Sequence, residues 1–293
     1  MGDAGDGWEF VDAGRLLPGF VVSSVGYRIE LGTPTIHRGL PSPSLTFVLS
    51  LDEPVVGGFT PEQAAGPGAL STEIVLGGLH TRPAYLTQPK VQTGIQLAVR
   101  PLAARALFGL PSGELREQML QGVDVLGPET ERLRQRMSEL PTWDERFAVL
   151  VEHLRARLAA APSGPSEPRA EVTEAWKWIA WHRGNGSMAE LARHVHLSER
   201  QLTAVFRAEL GLSPKAVSRL MRFEHARQRI AGAVRAGTPL ELSATAATCG
   251  YYDHSHLVRD FQQYVGVSPS LWVEEERRNI QAGAAQPAEE FPS

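Results

Sequence analysis

Apolar and polar positions follow two different rhythms along this chain, and the change falls near its middle. Up to about residue 125 the apolar residues come in short runs separated by Gly and Pro. Runs of that length and punctuation predict β-strands. They cover residues 20–31, 45–51, 73–79 and 94–100. Their spacing predicts a small antiparallel barrel or sandwich, with a short helix over residues 101–108 after it.

From Pro128 onward the apolar positions recur every three to four residues, the signature of a helix with one buried face. Residues 128–140 bring Leu133, Met137 and Leu140 together; residues 142–160 do the same with Trp143, Phe147, Leu150, Val151, Leu154 and Leu158. Two such helices predict an antiparallel hairpin. Its apolar faces either cover the β-rich region or form a dimer surface. Residues 161–168 hold three prolines, a glycine and two serines. That composition cannot sustain a helix and reads as a linker. The expected organisation is a sensor or dimerisation domain over 1–160, a linker over 161–169, an all-α domain over 170–280 and a flexible tail over 281–293. The predicted fold class is thus α+β, with a β-rich N-terminal domain carrying a helical hairpin.

The all-α part contains a repeat at an offset of 55 residues. Leu202 matches Leu257, Phe206 matches Phe261, Gly211 matches Gly266, and Ser213-Pro214 matches Ser268-Pro269; upstream, Ala192 matches Ala247. Each copy reads as helix, tight turn, helix. In the first, Ser187 with Glu190 and Ser198 with Gln201 form capping boxes. His196-Leu197 makes the turn, and Gly211 provides a left-handed stop. In the second, Ser243 and Asp253 are the expected caps, Gly250 the turn and Gly266 the stop. Between the copies a helix from Pro214 to about residue 233 carries Lys215, Arg219, Arg222, Arg227 and Arg229.

Paired helix-turn-helix units predict a grip on double-stranded DNA, with each second helix in a major groove. The outward face of the first holds Arg200, Thr203, Ala204 and Arg207, with Gln201 beside it. The second presents Ser255, Val258, Arg259 and Gln262, with His254 and His256 at its start. Arg, Gln and Ser side chains can reach base edges. Lys215, Arg219 and Arg222 are expected at backbone phosphates, which give affinity without sequence information.

Composition qualifies this picture in only a few places. The formal charge of −4 does not advertise a nucleic-acid partner, so the case rests on local pattern. No apolar run reaches the roughly 18 residues that cross a bilayer, and the first residues lack the marks of a signal peptide. A cytoplasmic, nucleoid-associated protein with no membrane partner is therefore expected. Cys249 is the single cysteine, which excludes an internal disulfide and a Cys-based zinc site. It is expected in the core. The β-rich half has only His37 and His80, far apart, so no metal site and no cofactor are expected. The pairs His194/His196 and His254/His256 sit near turns and recognition-helix starts rather than in ligand clusters. No phosphate loop or nucleophile elbow is present, so no catalytic residues are assigned and the chain is not expected to be an enzyme.

In the region from Trp176 to Trp272 the sequence resembles the AraC/XylS family of regulators. The strongest mark is the second motif, from Gly250 through Tyr251, Asp253, Leu257, Arg259 and Phe261 to Gly266 and Ser268-Pro269. The sequence departs from the family pattern at Ala204, Leu257, Trp272 and Val273. The resemblance implies that residues 1–160 form a cupin-like barrel followed by helices, and that the protein is an effector-responsive, DNA-binding transcription regulator. Its implied partners are DNA, a small-molecule effector, a second copy of itself and RNA polymerase. Arg28, His37, Arg38, Trp8 and Tyr85 are the candidate ligand residues of the β-rich half. The alternative is an N-terminal domain that serves interaction or dimerisation and has no small-molecule site.

Overall fold

The computed structural model describes residues 7–115, 119–160 and 167–281. Linker residues 161–166 and the tail from residue 282 lie outside them. Strands β1 (Gly7–Asp12), β2 (Val21–Glu30), β3 (Thr35–Gly39), β4 (Leu45–Ser50) and β5 (Val55–Gly58) are followed by the short helix α1 (Pro61–Ala65). Then come β6 (Leu70–Thr72), β7 (Ile74–Gly77), β8 (Ala84–Gln88) and β9 (Val91–Val99). A 3₁₀ turn at Pro101–Ala103 leads into α2 (Ala104–Phe108), and a second 3₁₀ turn covers Ser112–Leu115. β10 (Met119–Gln121), α3 (Gly122–Leu126), α4 (Pro128–Glu139) and α5 (Trp143–Ala159) complete this half.

The strands form two antiparallel sheets, ordered β1-β2-β9-β4-β7-β10 and β3-β8-β5-β6. Among the described residues no ladder joins the sheets, so the expected barrel is open. Alternation along β4 explains why the larger sheet is covered twice. Leu45, Phe47 and Leu49 point to the helices, while Val48 points to the smaller sheet with Tyr27, Ile29, Val55 and Val75. A strand buried on both faces reads as a nearly unbroken apolar run.

The hairpin α4–α5 covers the sheet. Phe147, Leu150 and Leu154 of α5 are buried in the same core as β4 and β9. A capping box between Thr142 and Glu145 starts α5. Farther along, Arg157 donates from Nε to the Leu107 carbonyl (2.8 Å) and from Nη1 to the Leu126 carbonyl (2.8 Å). These bonds tie the helix to the domain beneath it.

The second half is all helix: α6 (Ala170–Trp181), α7 (Met188–His194), α8 (Glu199–Leu210), α9 (Pro214–Arg235), α10 (Leu242–Thr248), α11 (His254–Val265) and α12 (Pro269–Gln281). Its apolar residues divide between two cores. Those of α6, α7 and α8, including Ile179, Leu191, Leu202 and Phe206, are continuous with the core of the β-rich half. Those of α10, α11 and α12 form a separate cluster around Phe223, Phe261 and Tyr264. The long helix α9 serves both: Val217 and Met221 belong to the first core, and Leu220, Phe223, Ala226 and Ile230 to the second. At 3.6 residues per turn these sets lie on different faces. The helix is therefore a beam between two units rather than a rod with one at each end.

Candidate nucleic-acid interface

Two helix-turn-helix units, α7–α8 and α10–α11, carry the site. Each first helix ends with a left-handed residue and a pair of reverse hydrogen bonds, the Schellman arrangement. In the first unit the left-handed residue is His196 (φ 56°), and the Leu197 N–H donates to the Ala192 carbonyl at 3.0 Å. In the second it is Gly250 (φ 77°), and the Tyr251 N–H donates to the Ala246 carbonyl at 2.9 Å.

The two turns are therefore not in the register read from sequence. Ala192 corresponds in space to Ala246, which is buried, and not to the exposed Ala247. The second turn is one residue longer, and α10 is capped at Glu241 without a side-chain bond. Ser243, expected as the cap, lies inside α10. A Cβ at Gly250 would also have to push aside the Asn185 amide, 2.0 Å away.

The recognition helices keep the 55-residue register throughout: α8 begins at Glu199 and α11 at His254, and both end on left-handed glycines, Gly211 and Gly266. Ser198 caps α8 in a reciprocal box with Gln201, while Asp253 caps α11 by accepting from the His256 N–H at 2.7 Å. Their inward faces bury Leu202, Phe206 and Leu210 in one unit and Leu257, Phe261 and Val265 in the other. Their outward faces match position by position. Arg200 and Ser255 are exposed, Thr203 and Val258 half-buried, Ala204 and Arg259 exposed, Arg207 and Gln262 exposed. Gln201 and His254 are exposed as well, and His256 is half-buried.

The basic helix α9 departs from expectation. Lys215 is exposed. Arg219, 36% exposed, pairs through Nη2 with the fully buried Asp260 of α11 at 2.7 Å and with Gln263 at 2.9 Å. Arg222 lies over the Tyr251 ring at 4.9 Å. Both guanidinium groups thus hold α9 to the second unit, because a carboxylate buried as deeply as Asp260 needs a cation beside it. Arg227 pairs with the buried Glu224 at 2.7 Å.

The residues proposed for a ligand pocket in the β-rich half do not converge on one. Arg28 is exposed and bonds Glu30 at 2.8 Å. Trp8 packs at the edge of the smaller core. His37 is opposite Leu86 in the β3–β8 ladder, where burial and then the neighbouring Arg38 pull its pKa down. Arg38 and Tyr85 are direct partners in the same ladder and face the helical half: Arg38 pairs with Glu275 of α12 at 2.9 Å. The space between the sheets is filled by Tyr27, Val48, Val55 and Val75. Among the described residues, recesses open at the surface in at least two places. One of about 470 Å³ is lined by Ile36, Val56, Ala64 and Thr87. Another, of about 250 Å³, lies between the two halves and is lined by Phe20, Arg100, Leu102, Trp176 and Lys177. Among the described residues no cluster of three or more potential metal ligands occurs, and no helix is long and apolar enough to cross a membrane. Cys249 is buried, and burial raises its thiol pKa.

Contacts between the halves were not legible beforehand. Arg105 of α2 forms a two-pronged pair with Glu209 of α8, at 2.7 and 2.9 Å. Each partner is an ordinary charged residue on a helix, and 104 positions separate them. Nothing local marks such a pair.

The geometry agrees with comparisons to known proteins. Residues 191–275 match the helix-turn-helix domain family. A stretch of 107 residues is 29% identical to the regulatory protein HrpB of Ralstonia nicotianae, covering 35% of this chain and 22% of that protein. The chain thus matches about a fifth of that relative's length. Among solved structures, a single-site variant of apo ToxT from Vibrio cholerae superimposes with a TM-score of 0.50 over 86% of this chain and 97% of that one, at 9% identity. Another ToxT crystal form gives 0.46 at 11% identity over the same 86% of this chain and 97% of that one. The first likeness extends the agreement from the helical units to the fold of 86% of the chain. Residues 191–275 are an AraC-type helix-turn-helix DNA-binding domain, carried behind a β-rich domain in a ToxT-like fold.

Proposed function

We propose that the chain is a transcription regulator that reads a specific duplex sequence with α8 and α11 in successive major grooves, under control of its β-rich domain and a small-molecule effector. One observation supports this above the others: at the four pairs Arg200/Ser255, Thr203/Val258, Ala204/Arg259 and Arg207/Gln262 the outward faces of α8 and α11 have the same order of exposed and half-buried positions, although Gln201 is exposed and its counterpart His256 half-buried. Packing demands on the inward face would not equalise the outward one. Arg200, Gln201, Thr203 and Arg207 are assigned to the first groove, and His254, Ser255, His256, Arg259 and Gln262 to the second. Lys215 is assigned to the phosphate backbone. Action in the cytoplasm, a second copy of the chain and a contact with RNA polymerase belong to the same reading.

The test is titration of the full chain onto duplexes from around its own gene at several salt concentrations. Each bidentate arginine contact contributes about 1–3 kcal/mol of discrimination. Arg200→Ala with Arg259→Ala should therefore reduce specific affinity by at least about 30-fold. Binding to random duplex should fall less. Absence of any binding at low salt would refute the reading.

A second reading, in which the β-rich domain has no small-molecule site, is favoured by the filled space between the sheets. An effector that binds the folded chain raises its melting temperature by mass action. A candidate that does so and also changes DNA affinity decides for sensing.

A further inference from the structure

We propose that the β-rich domain is a brace: it grips the C-terminal turn of both recognition helices and fixes their separation before DNA arrives. This builds on the reading above for its consequence in DNA binding, but its geometry stands without it.

The first grip is on α8. The carboxylate of Glu209 is held by Arg105 through two hydrogen bonds, and the Ser112 hydroxyl donates to the Glu209 carbonyl at 3.2 Å. Gly113 lies flat against the end of the same helix. A Cβ there would be 2.7 Å from the Ala208 carbonyl and 2.9 Å from the Gly211 nitrogen.

The second grip is on α11 and its continuation. Gln263 donates from Nε2 to the Thr81 carbonyl at 3.5 Å, while its Oε1 accepts from Arg219 of α9. The Tyr85 hydroxyl approaches Gly266, where a Cβ would be 3.2 Å from it. Beside Tyr85 in the ladder, Arg38 pairs with Glu275 of α12.

The two grips fall on equivalent points of the repeat. Ala208 corresponds to Gln263 and Gly211 to Gly266, each 55 positions apart. A domain that met the helical half by chance packing would have no reason to touch the same two positions in both copies. Holding the ends of both helices removes freedom that α9, as the shared beam, leaves to the units it joins.

The grips differ in kind. Glu209 is 6% exposed. A carboxylate buried that far is not released from its cation without large cost. Both side chains of the Arg38–Glu275 pair are open to water, at 26% and 29% exposed, whereas in the first grip only Arg105 is, at 27%; water can therefore replace either partner of the second pair. The first unit is therefore held firmly, and the second is the one that can be let go. Regulation that changes the spacing acts at the contact of β3 and β8 with α11 and α12.

The experiment measures the separation directly, in the full chain and without DNA. Spin labels go on Glu199→Cys and His254→Cys, equivalent exposed positions at the two helix starts, in a Cys249→Ala background. The expected result is one narrow distance distribution. Arg38→Glu should broaden it, and Arg38→Glu with Glu275→Arg should narrow it again, an outcome that loss of folding cannot produce. Arg105→Ala should broaden it too; if that variant fails to fold, the charge-swap series still decides. Unlabelled proteins are then given duplexes whose half-sites are moved apart by about two base pairs. The unmodified chain should prefer the native spacing, and Arg38→Glu should lose most of that preference. A broad distribution in the unmodified chain, or one that Arg38→Glu leaves unchanged, overturns the brace. Failure of the unmodified chain to bind any duplex would remove the DNA reading and leave the distance result standing.

Discussion

The two helix-turn-helix units have nearly the same recognition helix and very different surroundings. The first contributes Leu202, Phe206 and Leu210 to a core that continues through α6 into the β-rich half, as far as Phe47 and Leu97. The second closes its own core around Phe223, Phe261, Tyr264 and Trp272; among the described residues, Leu40 is the one hydrophobic residue of the β-rich half packed at its margin. The first unit is thus continuous with the interior of the β-rich half. Apart from Leu40, the second meets the β-rich half through polar contacts such as Gln263–Thr81 and, on α12, Arg38–Glu275. The repeat makes the outward faces of α8 and α11 alike, and what lies behind each face decides how independently it can move.

The sharpest way to break this contrast is to make a cavity in each core. Phe206 and Phe261 are equivalent in the repeat and both fully buried. Truncating either to Ala should cost about 3–5 kcal/mol. The consequences should differ. Phe206→Ala should lower the melting temperature of helical and β-rich halves together. Phe261→Ala should split the transition, with α10–α12 exchanging amide hydrogens early while β4 and β9 stay protected. Calorimetry with hydrogen exchange reads both. A single shared transition in both variants would show that the units form one cooperative block.

A smaller effect probes the seam by pH. His80 lies in the loop that also holds Thr81 and Pro83, and neither of its ring nitrogens has a hydrogen-bond partner. Burial, and then Arg82, pull its pKa down to about 4. The folded chain therefore holds it neutral, while the unfolded chain takes up a proton near pH 6.5. Between those values the unfolded state binds more protons, so stability falls as pH falls. The loss should approach about 3 kcal/mol by pH 4, at about 1.4 kcal/mol per unit. His37, His153 and His225 are shifted in the same direction by burial and add to the slope. Urea titrations from pH 7 to 4 should show the decline, and His80→Phe should flatten it. Equal slopes with and without the imidazole would remove His80 as its cause.

Legibility in the sequence followed the kind of burial. Strands β2, β4, β7 and β9 were predicted because they are covered on one or both faces and read as apolar runs. Strands β3 and β8 were not, because they carry Thr35, His37, Arg38, Tyr85 and Gln88 on a sheet that is half-exposed. The repeat was legible through α8 and α11, where Leu, Phe and Gly must fall at fixed positions. It slipped at α7 and α10, where Ala246 and Ala247 are chemically identical and only the turn length distinguishes them. Arg219 and Arg222 illustrate a different gap. An arginine's charge is visible in the sequence, but its partner is not: Asp260, fully buried and 41 positions away, ties the half-buried Arg219 to α11.

The smallest expected effect separates the two recognition helices by charge at their first turn. Ser198 and Asp253 are equivalent caps, and each accepts from the backbone N–H three residues on, at 3.3 and 2.7 Å. Removing either with Ala should cost about 1 kcal/mol. Asn caps as well as Asp does, so Asp253→Asn should leave stability within about 0.5 kcal/mol. It removes a negative charge from the end of α11 assigned to the groove, where every neighbouring phosphate repels it. DNA affinity should therefore rise a few-fold, and more at low salt, because phosphate contacts are salt-dependent. Ser198→Asp should do the reverse at α8, with stability again nearly unchanged. Thermal melts and salt-titrated binding of both variants separate the two effects. If Asp253→Asn leaves affinity unaltered at every salt concentration, the start of α11 does not face phosphate, and the second unit meets DNA by another edge than the first.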